Sequence, residues 1–250
     1  MDEKTTYQKM LSEFMKWQKS NDKEYADLWD LINTKKATYE DAQKYSKVVA
    51  GKWSQLLKKY FGVDADIKGL TADEMAKEIE KALRQCYRNS SYYATKVQEI
   101  INSSLNINVK AVEGEIDKSR IDNLIEKLKT GEDVTDDILI TTNNLWMIEE
   151  GVVENISQSA VTDTLEANAK LHTDAGLTSY IERKQGRGGC CDWCASVSGR
   201  YVYGEQPNDF FKIHKHCNCV ITYMPSRQRW QKMTYSTDAR GNRHRVTQNL

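Results

Sequence analysis

Five of the six cysteines of this 250-residue chain lie between positions 190 and 219, with two of its four histidines among them. They form two short clusters, Cys190-Cys191-Asp192-Trp193-Cys194 and His214-Lys215-His216-Cys217-Asn218-Cys219. Thiols and imidazoles gathered at two sites with a spacer between them are the donor set of a tetrahedral zinc centre. Cys191-x-x-Cys194 sets two sulfurs on one side of a tight turn, which is half of a tetrahedron. If 214–219 were extended, His214 and His216 would face one way and Cys217 and Cys219 the other. A mixed pair of ligands therefore needs a turn, expected at Lys215-His216. The expected ligands are Cys191, Cys194, His214 and Cys219, with Cys217 as the alternative fourth. The side chain of Cys190, next to Cys191, should point away.

Other chemistries fit these residues less well. A dithiol redox centre at Cys191 and Cys194 lacks a surrounding βαβ pattern. A catalytic zinc keeps one coordination position for water, whereas four good ligands are at hand here, and no H-E-x-x-H or H-x-E pair supplies an acid or base. A cysteine nucleophile paired with His214 or His216 would leave most of the clustered thiols unexplained. The expectation is a structural metal and no enzyme.

The rest of the chain must position this cluster. Its mean hydropathy of −0.71 describes a wet surface. No apolar run approaches the ~20 residues that span a bilayer, and the first residues lack the apolar core of a secretory signal. Thiols in such a protein are expected to stay reduced, which favours metal over disulfides. Net charge is zero, but residues 227–250 hold six Lys and Arg against Asp238 alone. That basic stretch is expected to be a solvated, mobile end, with contact to phosphate as the functional alternative.

Both prolines, and seven of the thirteen glycines, fall at or after Gly176. Residues 1–175 should thus be helical, with a sub-boundary near 106–118, followed by a module at 176–225 and the tail at 226–250. Apolar residues at helical spacing run from Tyr7 to Ile32, with an interruption near Ser20-Asn21-Asp22. Thr38 caps a second stripe that Gly62 ends, and Thr71-Ala72-Asp73-Glu74 is a capping box opening a helix to about Leu105. Ser119 is expected to cap a short helix closed by Gly131. Thr135 should start the longest helix, through Ile138, Trp146 and Leu165, with a kink at Gly151. Trp17, Trp29, Trp53 and Trp146 fit burial with their N–H groups at an edge. Cys86 reads as a buried inert thiol, and His172 as a capping or surface histidine. Short strands are expected at Tyr180–Arg183, Gly199–Gly204 and Cys219–Tyr223, with a helical turn at Asn208–Phe211. The fold class is mainly α: long helices in the N-terminal two thirds, then a small zinc-stabilised β-hairpin module, α+β overall. Such a module has little core of its own, which is where a structural metal contributes most.

Tyr180-Ile181-Glu182-Arg183, Gly189-Cys190-Cys191-Asp192-Trp193-Cys194, Gly199, Tyr201-x-Tyr203-Gly204, Pro207 and His214-x-x-Cys217-Asn218-Cys219 together resemble the C-terminal module of the Mu F-like minor head proteins of tailed phages infecting Firmicutes. The resemblance covers about a fifth of the chain. His216 departs from it, standing where the pattern usually has asparagine, as does Lys215, where proline or aspartate is frequent. The resemblance implies a minor capsid protein acting in head morphogenesis or DNA ejection. It would be found in the virion and, during assembly, in the host cytoplasm, with portal, capsid or scaffold proteins as partners and packaged DNA as a contact of the basic tail. The alternative reading is a cytoplasmic zinc-ribbon-like nucleic-acid-binding protein, and less so a zinc-dependent hydrolase.

Overall fold

A computed structural model describes residues 5–20, 22–62, 65, 70–130, 138–140, 146–148, 150–186, 191–214, 217–225, 231–237 and 243–249. It is mainly helical with a small antiparallel sheet, α+β as the sequence implies. Four helices begin where local chemistry says they should. Helix α1 (Thr6–Lys19) opens on a Thr5–Gln8 capping box, and α2 (Lys23–Asn33) on Asp22, whose carboxylate accepts from the amide of Tyr25. The break between them also receives the Trp17 Nε1–H, which donates to Asp22 at 3.1 Å. Helix α3 (Tyr39–Phe61) starts at a Thr38–Asp41 box and ends at Gly62. Helix α4 (Ala72–Ser104) starts at the Thr71–Glu74 box. Each cap satisfies amides that the first turn leaves without partners.

The next elements depart from expectation. Helix α5 (Lys118–Thr130) starts one residue before Ser119, which lies inside it; Asp117 accepts the Ser119 amide and hydroxyl. Gly131 and Thr135 fall outside the described residues. Ile138 and Trp146 are not in a helix: strands β1 (Ile138–Ile140) and β2 (Trp146–Ile148) pair antiparallel, Ile138 opposite Ile148. A short β-branched run satisfies a strand as readily as a helix, and here the strand is formed. Helix α6 (Glu150–Asp174) begins only afterwards, so Gly151 sits in its first turn and introduces no mid-helix kink. Gly176, at φ 81°, ends the helix in the left-handed conformation that glycine adopts without strain.

Strands β3 (Ser179–Lys184), β4 (Gly199–Val202) and β5 (Val220–Pro225) follow, with the six-residue helix α7 (Asp192–Val197) between β3 and β4. Sheet order is β5-β3-β4-β6-β7. The last two strands, β6 (Gln231–Thr237) and β7 (Arg243–Asn249), form a hairpin joined to β4 at Arg200↔Met233. They lie in the stretch expected to be a mobile tail. Its alternating Lys-Met-Thr-Tyr and Arg-Val-Thr residues carry the β propensity that a reading by charge alone overlooks.

One hydrophobic core runs through both halves. Trp53, Tyr39, Tyr45, Tyr93, Leu83 and Val161 from the helices share it with Ile181, Tyr201, Phe210, Ile221 and Tyr223 from the sheet and its loop. Phe14 stacks on Trp53 at 4.7 Å, and Tyr45 on Tyr93 at 4.1 Å. Trp53 is buried with its indole N–H unpartnered, away from the edge expected for it. Among the described residues no helix is long and apolar enough to cross a membrane.

Helices α4 and α6 meet along a polar seam. Ser90 and Ser157 hydroxyls lie 2.6 Å apart, Ser91 and Thr164 2.8 Å apart, and the Tyr87 hydroxyl donates to Asp163 at 2.9 Å. Burial raises the Asp163 carboxyl from 3.8 to about 6, opposed by the Tyr87 hydrogen bond and the Arg120 charge. The folded protein therefore holds this proton more tightly than the unfolded chain. The group's stabilisation is full below the unfolded value and is lost as pH rises through about 6. Asp163→Asn keeps an acceptor for Tyr87 without the charge. It should melt above wild type at pH 8, by as much as about 3 kcal/mol for two pKa units, with the gap narrowing as pH is lowered toward 5. A gap independent of pH in thermal unfolding would contradict this.

Candidate metal centre

Cys191 and Cys194 are positioned by α7. Cys191 is its N-cap: the Cys194 amide donates to the Cys191 sulfur at 3.4 Å, as a serine or aspartate cap would accept. The Cys-x-x-Cys spacing is thus one helical turn rather than a bare loop. The second pair comes from the far side of the β4–β5 connection, where the Cys217 amide donates to the His214 carbonyl at 3.1 Å. The turn expected at Lys215-His216, and Cys190, lie outside the described residues.

The structure brings all five candidate ligands together. Cys191, Cys194 and His214 form one triad and Cys194, Cys217 and Cys219 another, the ligand atoms in each lying within 4.8 Å of one another. Such a cluster can hold a metal ion, and Cys194 belongs to both triads. For zinc, bonds near 2.3 Å to sulfur and 2.0 Å to nitrogen at tetrahedral angles require edges of about 3.8 Å between sulfurs and about 3.5 Å from sulfur to nitrogen. Cys194 and Cys217 sulfurs are 3.7 Å apart, and the Cys191 sulfur is 3.5 Å from His214 Nε2. The Cys194–His214 separation of 2.8 Å is a hydrogen-bond distance that an ion between them would widen. The residues fit the metal, and both expected fourth ligands, Cys219 and Cys217, are in reach.

The surroundings are dry on one side. Cys194, Cys217 and Cys219 are buried and form a small satellite core with Ile213, flanked by Trp193, while Cys191 is exposed. Burial pushes the Cys194 thiol up to about 11. A hydrogen bond with Cys219, then burial, pushes Cys217 up, and the same contact holds Cys219 below its usual value. A cation binding here displaces thiol protons, so uptake weakens as pH falls.

Two contacts fix the cluster to the body. Lys47 of α3 donates to Asn218 at 2.6 Å and pairs with Glu154 of α6 at 3.5 Å. Gly186 lies so close to the second cluster that an added Cβ would stand 2.4 Å from the Asn218 carbonyl oxygen, so only glycine fits.

Arg183 was not among the residues expected at the site. Its guanidinium donates to the Cys194 and Cys217 sulfurs at 3.5 and 3.6 Å and sits over the Trp193 ring. The sequence signal was present only as a charged residue inside a strand motif. His172 is also not the capping or surface residue expected: it is fully buried, Nδ1 hydrogen-bonded to the Tyr223 hydroxyl, and burial holds its ring below its ordinary pKa. Cys86 is buried as expected, its thiol raised to about 12 mainly by burial.

Comparison with known proteins adds no identification: no protein family, curated protein or solved structure matches the chain.

Because Cys194 belongs to both triads, Cys194→Ser should abolish tight metal binding, whereas Cys219→Ser, with Cys217 still in place, should retain it within about 100-fold. Competition titration of the full-length variants against a chromophoric chelator measures both. Equal losses for the two variants would contradict the shared-ligand geometry.

Proposed function

We propose that this chain is a structural minor capsid protein of a tailed phage, in which a zinc ion clamps the module that follows the helices. The observation that carries the clamp reading is the closed donor set. Five sulfur and imidazole ligands converge where a tetrahedral ion uses four, and the clustered groups include no carboxylate to serve as acid or base. Such a site orders its surroundings rather than activating water. The ligands are also most of the apolar contacts this corner possesses, so an ion bound there contributes directly to folding.

The assignment to a phage head is supported by the resemblance of the segment from Tyr180 to Cys219. The mainly helical body suits a protein docked among larger assembly partners. Portal and capsid proteins are the partners this reading names, in the virion and in the host cytoplasm during assembly. The strands at 231–237 and 243–249 carry three of the six Lys and Arg residues of the C-terminal stretch, which suits contact with packaged DNA.

The test is co-expression of the full-length chain with the portal and major capsid proteins of the same phage, purified with and without a chelator. Capture by the portal or capsid is expected, reduced when zinc is removed. Absence of capture, together with salt-resistant retention on nucleic acid, would overturn the proposal in favour of a zinc-ribbon-like nucleic-acid-binding protein. Capture unchanged by the chelator would overturn the module's part in docking.

A further inference from the structure

Among the described residues, Arg183 is the most deeply buried of the Lys, Arg, Asp and Glu side chains, 1% exposed. A guanidinium removed from water is costly unless an anion accompanies it. Here no described carboxylate does so. One terminal nitrogen donates to the carbonyls of Phe210 and, at 2.9 Å, Lys212; the other donates to the Cys194 and Cys217 sulfurs. The Nε–H has no partner, and the neighbouring Glu182 is engaged instead by Arg200 at 3.1 Å and Lys184 at 3.5 Å. The Trp193 ring covers the guanidinium carbon at 5.2 Å. The buried cation thus faces two carbonyls, an aromatic ring and two sulfurs of the cluster.

We infer that Arg183 is the positioning residue of the metal centre: its guanidinium balances the charge of the ligated sulfurs and holds Cys194 and Cys217, rather than Cys219, as the inner ligand pair. The inference rests on the proposed zinc site. A zinc ion with three thiolates and one imidazole carries a net charge of −1, which one guanidinium neutralises. N–H groups directed at ligand sulfurs fix ligand orientation in the way outer-shell partners do at other metal sites. The two carbonyl bonds belong to the same device, since they anchor the guanidinium to the loop that leads to His214.

Zinc affinity of the full-length chain is measured by competition with a chromophoric chelator, for wild type, Arg183→Met and Arg183→Lys. Arg183→Met should weaken zinc binding by roughly 10–100-fold, the usual cost of losing an outer-shell partner. Arg183→Lys, which keeps the charge without the fork, should fall between the two. In a Cys217→Ser background Arg183→Met should cost less than in a Cys219→Ser background, since only the Cys194 contact is then left to lose, while in the Cys219→Ser background it should cost its full amount. Metal-free Arg183→Met, freed of a buried cation, should melt no lower than metal-free wild type. Wild type that takes up no zinc would remove the metal site itself. Wild type that binds while Arg183→Met binds equally well would overturn the role of Arg183. So would an unchanged affinity accompanied by equal destabilisation of the metal-free and loaded forms, the mark of a merely structural arginine. If Arg183→Met does not fold, undiminished binding by Arg183→Lys together with equal coupling in the two serine backgrounds overturns it too.

Discussion

The corner of the molecule between β3 and β5 is held by sulfur where other proteins use aliphatic side chains. Its satellite core contains three buried cysteines and a single aliphatic residue, Ile213. A core of that composition is small, which is where an ion bound between α7 and the second cluster would contribute most. Two distances across the cluster, 3.5 and 3.7 Å, match the edges of a metal-centred tetrahedron, the 2.8 Å between Cys194 and His214 is shorter, and a buried guanidinium lies beneath two of the sulfurs. The rest of the module is arranged around that cluster. Gly186 allows the clusters to approach, β3 carries Arg183 beneath them, and α7 turns Cys191 and Cys194 to one side.

The helical body supplies what the module lacks. Helix α3 lies against β5, and α6 against β3 and β5. The inner face of the sheet therefore completes the main core through Ile181, Ile221 and Tyr223. The polar groups buried there are hydrogen-bonded in chains. Tyr39 donates to Gln98 at 2.6 Å, Gln98 to Asn102 at 2.7 Å, and Asn102 to the Val109 carbonyl at 2.8 Å. Such networks fix helix register at little net gain in stability, since each bond replaces one to water. Lys47, reaching both Asn218 and Glu154, ties the cysteine-lined corner to two helices at once.

Much of this was legible in the sequence wherever the determinant is local. Thr38 and Thr71 announce their helices because a capping box is a four-residue interaction. Cys191, Cys194 and His214 announce themselves by type and spacing, and the glycine-rich end announces the sheet. The losses fall where a distant partner decides. Ile138 to Ile140 pair as a strand with residues ten positions away at most, a choice that periodicity over three residues does not encode. His172 is buried because Tyr223, 51 residues on, stands over it. Arg183 looks like any strand charge until the loop at 210–212 and the two cysteines close around it. The choice between Cys217 and Cys219 was equally beyond the spacing, since the fold delivers both to the same place.

The central claim is that these thiols and one imidazole form a closed zinc centre that clamps the module. Zinc-edge X-ray absorption on the full-length chain loaded with one equivalent of zinc tests it most directly. The account predicts three sulfur scatterers at about 2.3 Å and one nitrogen at about 2.0 Å, with no bound water. A first shell dominated by oxygen, or one holding a water in place of a sulfur, would contradict it.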